Sequence, residues 1–319
     1  MKFGSPVAVF IYIILSLTLP SLVSAAEENL LQKCDEQGQL IWLQTWQRDI
    51  DQDDQNLLDQ FESEEKGVAA GISFDLAKDT SIDISLSRAE ADTNSFAFGT
   101  DDQSIKDINL TLFQYINDHG ISISAGYGEI DTKRDRRIIN FNNPSQPRIR
   151  LLSDFDTQIM SFGLQYSYYI TSDNPLNTWM LSPTIGINYN QLTTDNYIEF
   201  GPNNEQLSVS TEDEEQVIGN AGLTFSWAHF RGDWMISPSI TTAFEHDFKV
   251  DPTSTEAIVR DVPIRFSNEG YDIEDNRFLY GAAINFSHLE SLSFGVVFQA
   301  QKKDDYSYKT IMLNLQLDI

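Results

Sequence analysis

The chain is short of cysteine, of histidine, of positive charge and of long apolar runs, and each shortage closes off a class of protein. Its 319 residues include one cysteine, Cys34, so no internal disulfide can form. Leu31-Gln32-Lys33 before it lacks the small residues of a lipidation motif, which leaves a lone thiol in an N-terminal segment. Four histidines, no His/Cys cluster and no Gly-rich phosphate loop leave no metal-centre or cofactor motif to read. Lys+Arg number 21 against 48 Asp+Glu, a net charge of −27, which argues against a nucleic-acid partner. The aromatic content of 12% argues equally against disorder. Past the N-terminus no apolar run approaches the roughly 18 residues of a membrane helix.

What is present begins with an export signal. Lys2 precedes an apolar core over Val7 to Leu19, Pro20 breaks it, and Val23-Ser24-Ala25 forms a small-residue cleavage site. This pattern predicts a secretory signal peptide over residues 1–25.

The informative stretch is Thr178 to Gln191, TWMLSPTIGINYNQ. Trp179, Leu181, Pro183, Ile185, Ile187 and Tyr189 fall on one face, and small polar residues fall on the other. That period of two is a strand with an apolar face collared by aromatics, as in a transmembrane barrel. It recurs at Asp233 to Phe248, where Trp234, Met235, Ser237 and Pro238 echo Trp179, Met180, Ser182 and Pro183. The two prolines lack a ladder N–H, which places each at a bulge or beside a water-accessible carbonyl.

Strands are predicted at 40–48, 67–77, 80–89, 105–116, 121–130, 157–170, 178–191, 216–228, 233–248, 276–287, 291–301 and 306–319. About ten residues tilted about 40° cross roughly 25 Å of hydrocarbon, and these segments have that length. Short connections alternate with long ones at about 50–66, 90–104, 131–156, 192–215 and 249–275. Short turns belong in the periplasm and long loops outside. Trp179, Trp227 and Trp234 sit beside short turns, where a membrane girdle belongs. The fold class is therefore all-β: a closed antiparallel transmembrane β-barrel of twelve strands over 40–319, both termini periplasmic, in the outer membrane.

Over about 40–319 the chain resembles the autotransporter β-domain. The resemblance opens at Leu40-Ile41-Trp42-Leu43-Gln44 and is clearest at Trp179 to Phe200 and Trp234 to Phe248; Phe266 through Gly270 and Gly281 also fit. It implies an outer-membrane barrel inserted by the barrel-assembly machinery, anchoring an exported passenger, with a helix in the pore. Two features depart from the family pattern. About 14 residues separate the signal peptide from the first strand, so no passenger is expected, and the chain ends on Ile319 where the family favours Phe.

Candidate sites are sparse. Asp51, Asp53, Asp54, Glu62, Glu64 and Glu65 could bind divalent cations, although Asp54 and Gln60 replace the Gly and Glu of a helix-loop-helix calcium loop. Lys133, Arg134, Arg136, Arg137, Arg148 and Arg150 form a basic island, suited to lipopolysaccharide phosphate or to acidic neighbouring loops that fold it over the mouth. His246 lies between Glu245 and Asp247, but adjacent strand residues point to opposite faces, so neither carboxylate can orient it as a base. The chain reads as a non-enzyme, a pore or envelope component. A surface adhesin or receptor working through the long loops, and an outer-membrane hydrolase, are the alternatives. Residues 26–39 are expected to enter the lumen as a short plug, because the inward rows are too small to fill it.

Overall fold

A computed structural model describes residues 39–52, 61–95, 99–138, 149–172, 177–201, 206–211, 213–250, 255–259, 265–268, 276–288, 292–302 and 306–319. In chain order the strands are β1 (Gln39–Gln52), β2 (Phe61–Ala77), β3 (Thr80–Ser95), β4 (Gly99–Ile116), β5 (His119–Ile138), β6 (Ile149–Tyr168) and β7 (Ile170–Thr171). They continue as β8 (Asn177–Thr194), β9 (Tyr197–Phe200), β10 (Gln206–Thr211), β11 (Glu214–Arg231) and β12 (Trp234–Val250). The last five are β13 (Thr255–Val259), β14 (Arg265–Asn268), β15 (Asn276–His288), β16 (Leu292–Lys302) and β17 (Tyr306–Asp318).

Twelve long strands, β1 to β6, β8, β11, β12 and β15 to β17, pair antiparallel in turn, and β17 returns to β1. The seam runs from Leu40↔Asp318 to Gln52↔Tyr306, and the Ile319 N–H donates to the Gln39 carbonyl at 2.9 Å. Closure is what the solvent demands, since hydrocarbon cannot satisfy an open edge.

The rows that alternation assigns to lipid do face outward. Val68, Leu86, Leu110, Ile123, Phe162, Ile187, Phe225, Ile240, Phe278, Val296 and Leu313 are all exposed, one on each long strand from β2 round to β17. Leu43 and Ile41 complete the ring on β1. Tight turns at Lys78-Asp79, Asn117-Asp118 and Gly232-Asp233 close one end. Asn117 and Gly232 take left-handed φ values of 55° and 61°, the geometry a tight hairpin asks of such residues.

The other end departs from the predicted limits. β5 and β6 run about eight residues past their predicted membrane segments, to Ile138 and back to Ile149, through residues read above as a loop. Here the outward residues are Glu129, Asp131, Lys133, Asp135 and Arg137 on β5, and Arg150, Leu152, Asp154 and Asp156 on β6. The ladder continues while the outward row turns charged but for Leu152, so hydrophobic alternation no longer marks a strand. Two other long connections also carry strands: β9 pairs with β6 and β10, β10 with β13, and β13 with β14. They extend the wall beyond the barrel.

Neither proline sits at a bulge. Register shifts occur instead at Asp75/Ala77 and at Val217/Ile218. At Pro183 the pairing of β8 with β6 stops at Thr184 and resumes with β7 at Leu181, in the same register. At Pro238 the β11–β12 ladder skips from Ser239 to Ile236. Each proline thus faces a gap in the ladder where no donor is required.

Candidate functional site

The lumen is built in three levels. At the turn end, Phe113, Tyr115, Tyr169 and Met180 form a small buried cluster. At mid-height the wall is small and polar: Ser122, Ser124, Gly126, Ser161, Gly163, Thr184, Gly186 and Gly222 project inward from β5, β6, β8 and β11. On the facing strands Asp83 accepts hydrogen bonds from Trp42 Nε1 (2.7 Å) and Ser73 Oγ (2.6 Å), and Ser87 donates to Asp107.

Toward the long connections the lumen wall becomes large and buried. Ile50, Phe61, Ile105, Ile130, Phe155, Leu192, Tyr197 and Ile218 belong to one apolar cluster there. Set into it are arginine–carboxylate pairs. Arg48 Nη1 donates to Glu65 Oε2 (3.0 Å) and its Nε to Thr310 Oγ1 (3.1 Å), while Trp46 Nε1 holds the other Glu65 oxygen at 2.6 Å. Arg134 forks onto Asp101 (2.8 and 2.7 Å), donates to the Tyr197 hydroxyl (3.1 Å) and lies over the Phe155 ring, which stacks on Tyr197 at 4.2 Å. Arg136 pairs with Glu199 of β9, and Arg277 pairs with Asp247 and lies 3.8 Å from Glu245. Burial disfavours the charge on Arg134, but Asp101 and the other nearby acidic groups outweigh it and hold the guanidinium protonated well above its ordinary range.

These pairs tie strands that are distant in sequence. Arg136–Glu199 fastens β9 to the top of β5, and Arg134 reaches the same segment through Tyr197. Two members of the basic island therefore face the lumen. Lys133, Arg137 and Arg150 face outward instead, with Arg150 on Asp135 (2.9 and 2.6 Å), and Arg148 lies outside the described residues. The Arg150 hydrogen bonds hold the Asp135 carboxyl below the usual range. With Leu152, Ile198 and Phe200, the outward Lys133, Asp135 and Arg150 line an open groove of about 850 Å³.

The acidic candidates are not gathered. Glu65 points inward to Arg48, Asp51 and Glu62 sit opposite one another on the outer face, Glu64 lies one tier below, and Asp53 and Asp54 lie outside the described residues. Among the described residues no three His, Cys, Asp or Glu converge as a metal site. His246 hydrogen-bonds Asn276 (3.1 Å) while Glu245 and Asp247 turn inward to Arg277. Trp179 and Trp227 stand opposite each other in register, exposed, and Trp234 lies edge-on to His288 at 5.1 Å.

Sequence reasoning missed Arg48, Asp101, Glu199, Asp247 and Arg277 as a set. The available signal was parity: each is a charge on the inward-facing row of its strand, where a barrel filled only with water has no call for buried pairs.

The model of the autotransporter beta-domain matches residues 41–299, most of this barrel. The chain belongs to the autotransporter β-domain family. Its fold is similar to the translocator domain of autotransporter NalP from Neisseria meningitidis, at 12% identity and TM-score 0.72, covering 99% of this chain and 98% of that one. It is also similar to the beta domain of the Bordetella autotransporter BrkA, at 12% identity and TM-score 0.67 over 89% and 100% of the two chains. The transport unit of AIDA-I from Escherichia coli follows at 13% and 0.55, over 89% and 91%. No curated protein matches. As a β-domain barrel of this family, the protein resides in the outer membrane.

Proposed function

We propose that this autotransporter-type barrel works as a narrow, cation-preferring pore of the outer membrane, with its turns and both termini in the periplasm. The observation that carries the reading is the charge of the lumen wall. Among the described residues the inward rows carry Arg48, Arg134, Arg136 and Arg277 against Asp83, Asp101, Asp107, Glu65, Glu199, Glu214, Glu245 and Asp247. Rings of acidic side chains select cations. A loop-side end knit by buried ion pairs suits small ions better than a polypeptide in transit, so the barrel rather than an exported passenger is the working part. Insertion would rely on the barrel-assembly machinery, with Ile319 closing the outward row of Ile311, Leu313, Leu315 and Leu317.

The full chain in planar bilayers with asymmetric KCl should conduct with a reversal potential on the cation side. Replacing Arg134→Gln together with Asp101→Asn removes the buried β4–β5 ion pair and the Arg134 bond to Tyr197 of β9 without leaving a lone charge, and should raise conductance or open time. Anion preference, or silence in both proteins, sinks the pore reading. For orientation, Gln206→Cys in a Cys34→Ser background should label on intact cells with an impermeant reagent, and Asp79→Cys should not.

Of the expected plug over 26–39, Gln39 opens β1 and the rest lies outside the described residues; residues 26–38 are proposed to narrow this pore from within, against the small residues at mid-height. As a helix, they would extend roughly 20 Å. Deleting them should increase conductance, and Cys34 should resist a bulky thiol reagent until the barrel unfolds. Equal conductance with rapid Cys34 labelling is incompatible with the plug.

A second reading, a surface receptor or adhesin, draws on the outward groove of Leu152, Ile198, Phe200, Lys133 and Arg150. Loss of cell or matrix binding after Ile198→Asp and Phe200→Asp, with conductance unchanged, would favour it.

A further inference from the structure

On the lipid side of β2, β3 and β4 the outward row changes from apolar to cationic at one level. Val68 is followed by Lys66, Leu86 by Arg88 and Ile108 by Lys106, all exposed. The register places Arg88 directly opposite Lys106, and Val68 opposite Arg88, so Lys66 lies diagonally from the guanidinium. Like charges directly opposite on one face repel. In a chain of net charge −27, with the four inward arginines among the described residues committed to carboxylates, two adjacent cations at this level need a reason.

Their protein partners do not supply it. Arg88 reaches Glu90 at 3.5 Å, Lys106 reaches Asp131 at 3.1 Å and Lys66 reaches Glu64 at 2.7 Å. All three pairs are solvent-exposed, a class that contributes little. All three acids also lie farther from the apolar band than the cation they meet, so the lipid-proximal side of each cation carries no protein carboxylate from its own pair. Glu129, opposite Lys106 on β5, takes a hydrogen bond from Tyr127 at 3.1 Å. Farther along, on β5 and β6, the border turns acidic with Asp131 and Asp156, and on the other side of β1 the outward Lys309 of β17 faces Asp49.

We propose that Arg88 and Lys106, with Lys66 beside them, clasp the phosphate of a lipid A molecule on the outer wall of the barrel. The guanidinium supplies a two-pronged fork and the ammonium a point charge, the combination that suits a phosphate monoester. A bound dianion converts the Arg88–Lys106 repulsion into attraction. The acyl chains then run down the exposed apolar row of Val68, Leu86, Ile108 and Leu110, which begins immediately below the cations. This assignment to the outer leaflet rests on the orientation proposed above; the clasp itself does not.

The test compares lipids retained by the full chain in phosphatidylcholine nanodiscs carrying bisphosphorylated lipid A, dephosphorylated lipid A or phosphatidylglycerol, read by native mass spectrometry. Lipid A should be enriched on the wild type and fall by about tenfold in Arg88→Gln/Lys106→Gln, the loss expected for a charge-assisted contact. The control Arg231→Gln, at the turn end, should retain it. Enrichment of phosphatidylglycerol in place of lipid A, lost in the same variant, upholds a phosphate clasp and overturns the orientation. Equal lipid A retention by the double variant, or equal retention of the dephosphorylated form, overturns the clasp.

Discussion

Trp46 faces Gly67 across the β1–β2 ladder, and its indole fills the space that a side chain at position 67 would need. Trp42 does the same over Gly71 four residues away. Both rings point into the lumen and are fixed by hydrogen bonds, Trp46 to Glu65 and Trp42 to Asp83. The glycines are therefore sockets in the barrel wall, selected for the volume they leave.

It follows that Gly67→Ala should destabilise the barrel by about 1–3 kcal/mol, the usual cost of overpacking. Trp46→Ala alone should also be costly, but combining the two should cost less than their sum, because the alanine then has room. Denaturant midpoints or the gel shift of the heat-denatured barrel measure this. Wild-type stability for Gly67→Ala would mean the ring sits elsewhere.

Arg277 is a different kind of wall residue, fully buried between Asp247 and Glu245. Arg277→Ala would strand two acids away from water, and removing one partner of a buried pair costs about 3–5 kcal/mol. Arg277→Lys should recover only part of it, since an ammonium cannot fork toward two carboxylates. Equal stabilities for the alanine and lysine variants would show that charge, geometry or both are irrelevant there.

The contrast between these two sites explains what the sequence made legible. The lipid-facing rows were readable strand by strand because hydrocarbon imposes one rule on every outward residue. Leu86, Phe162 and Phe225 obey it regardless of their neighbours. The inward rows obey no such rule. Arg134 needs Asp101 and Tyr197, and Arg136 needs Glu199, partners 33 and 63 residues distant. Which charge meets which depends on the register of strands whose outer halves carry no hydrophobic signal. The extensions of β5 and β6 were lost for that reason, and the ion pairs they position were lost with them.

Beyond the apolar band, two aspartates on neighbouring strands should titrate in opposite directions. Hydrogen bonds from Arg150 depress Asp135, so its contribution to stability is present above the unfolded carboxylate value and is lost as pH falls through the folded one. Partial burial, then repulsion from Asp131 and Asp195, raises Asp156, so the folded state takes up its proton first and gains stability as pH falls through that window. Both groups are near water, so raising the salt should draw both toward the ordinary value. Carboxyl-carbon NMR titrations, assigned with Asp156→Asn and Asp135→Asn, give the two midpoints. A midpoint for Asp156 at or below that of Asp135 contradicts the arrangement.

The five tryptophans divide by face, which makes them a test of the whole register. Trp179, Trp227 and Trp234 are exposed on the lipid side beside the short turns, while Trp42 and Trp46 turn inward to carboxylates. In single-tryptophan variants, lipids brominated near the headgroup should quench the first three strongly. Deep bromines should quench them less, as an interfacial position requires. Neither lipid should reach Trp46, which is 8% exposed and enclosed by the barrel wall. Because side chains alternate with a period of two, slipping β1 by one residue would turn its entire row over. Quenching of Trp46 as strong as that of Trp227 would therefore place Trp46 and Arg48 in lipid, break the Arg48–Glu65 pair and overturn the pairing of β1 with both β2 and β17.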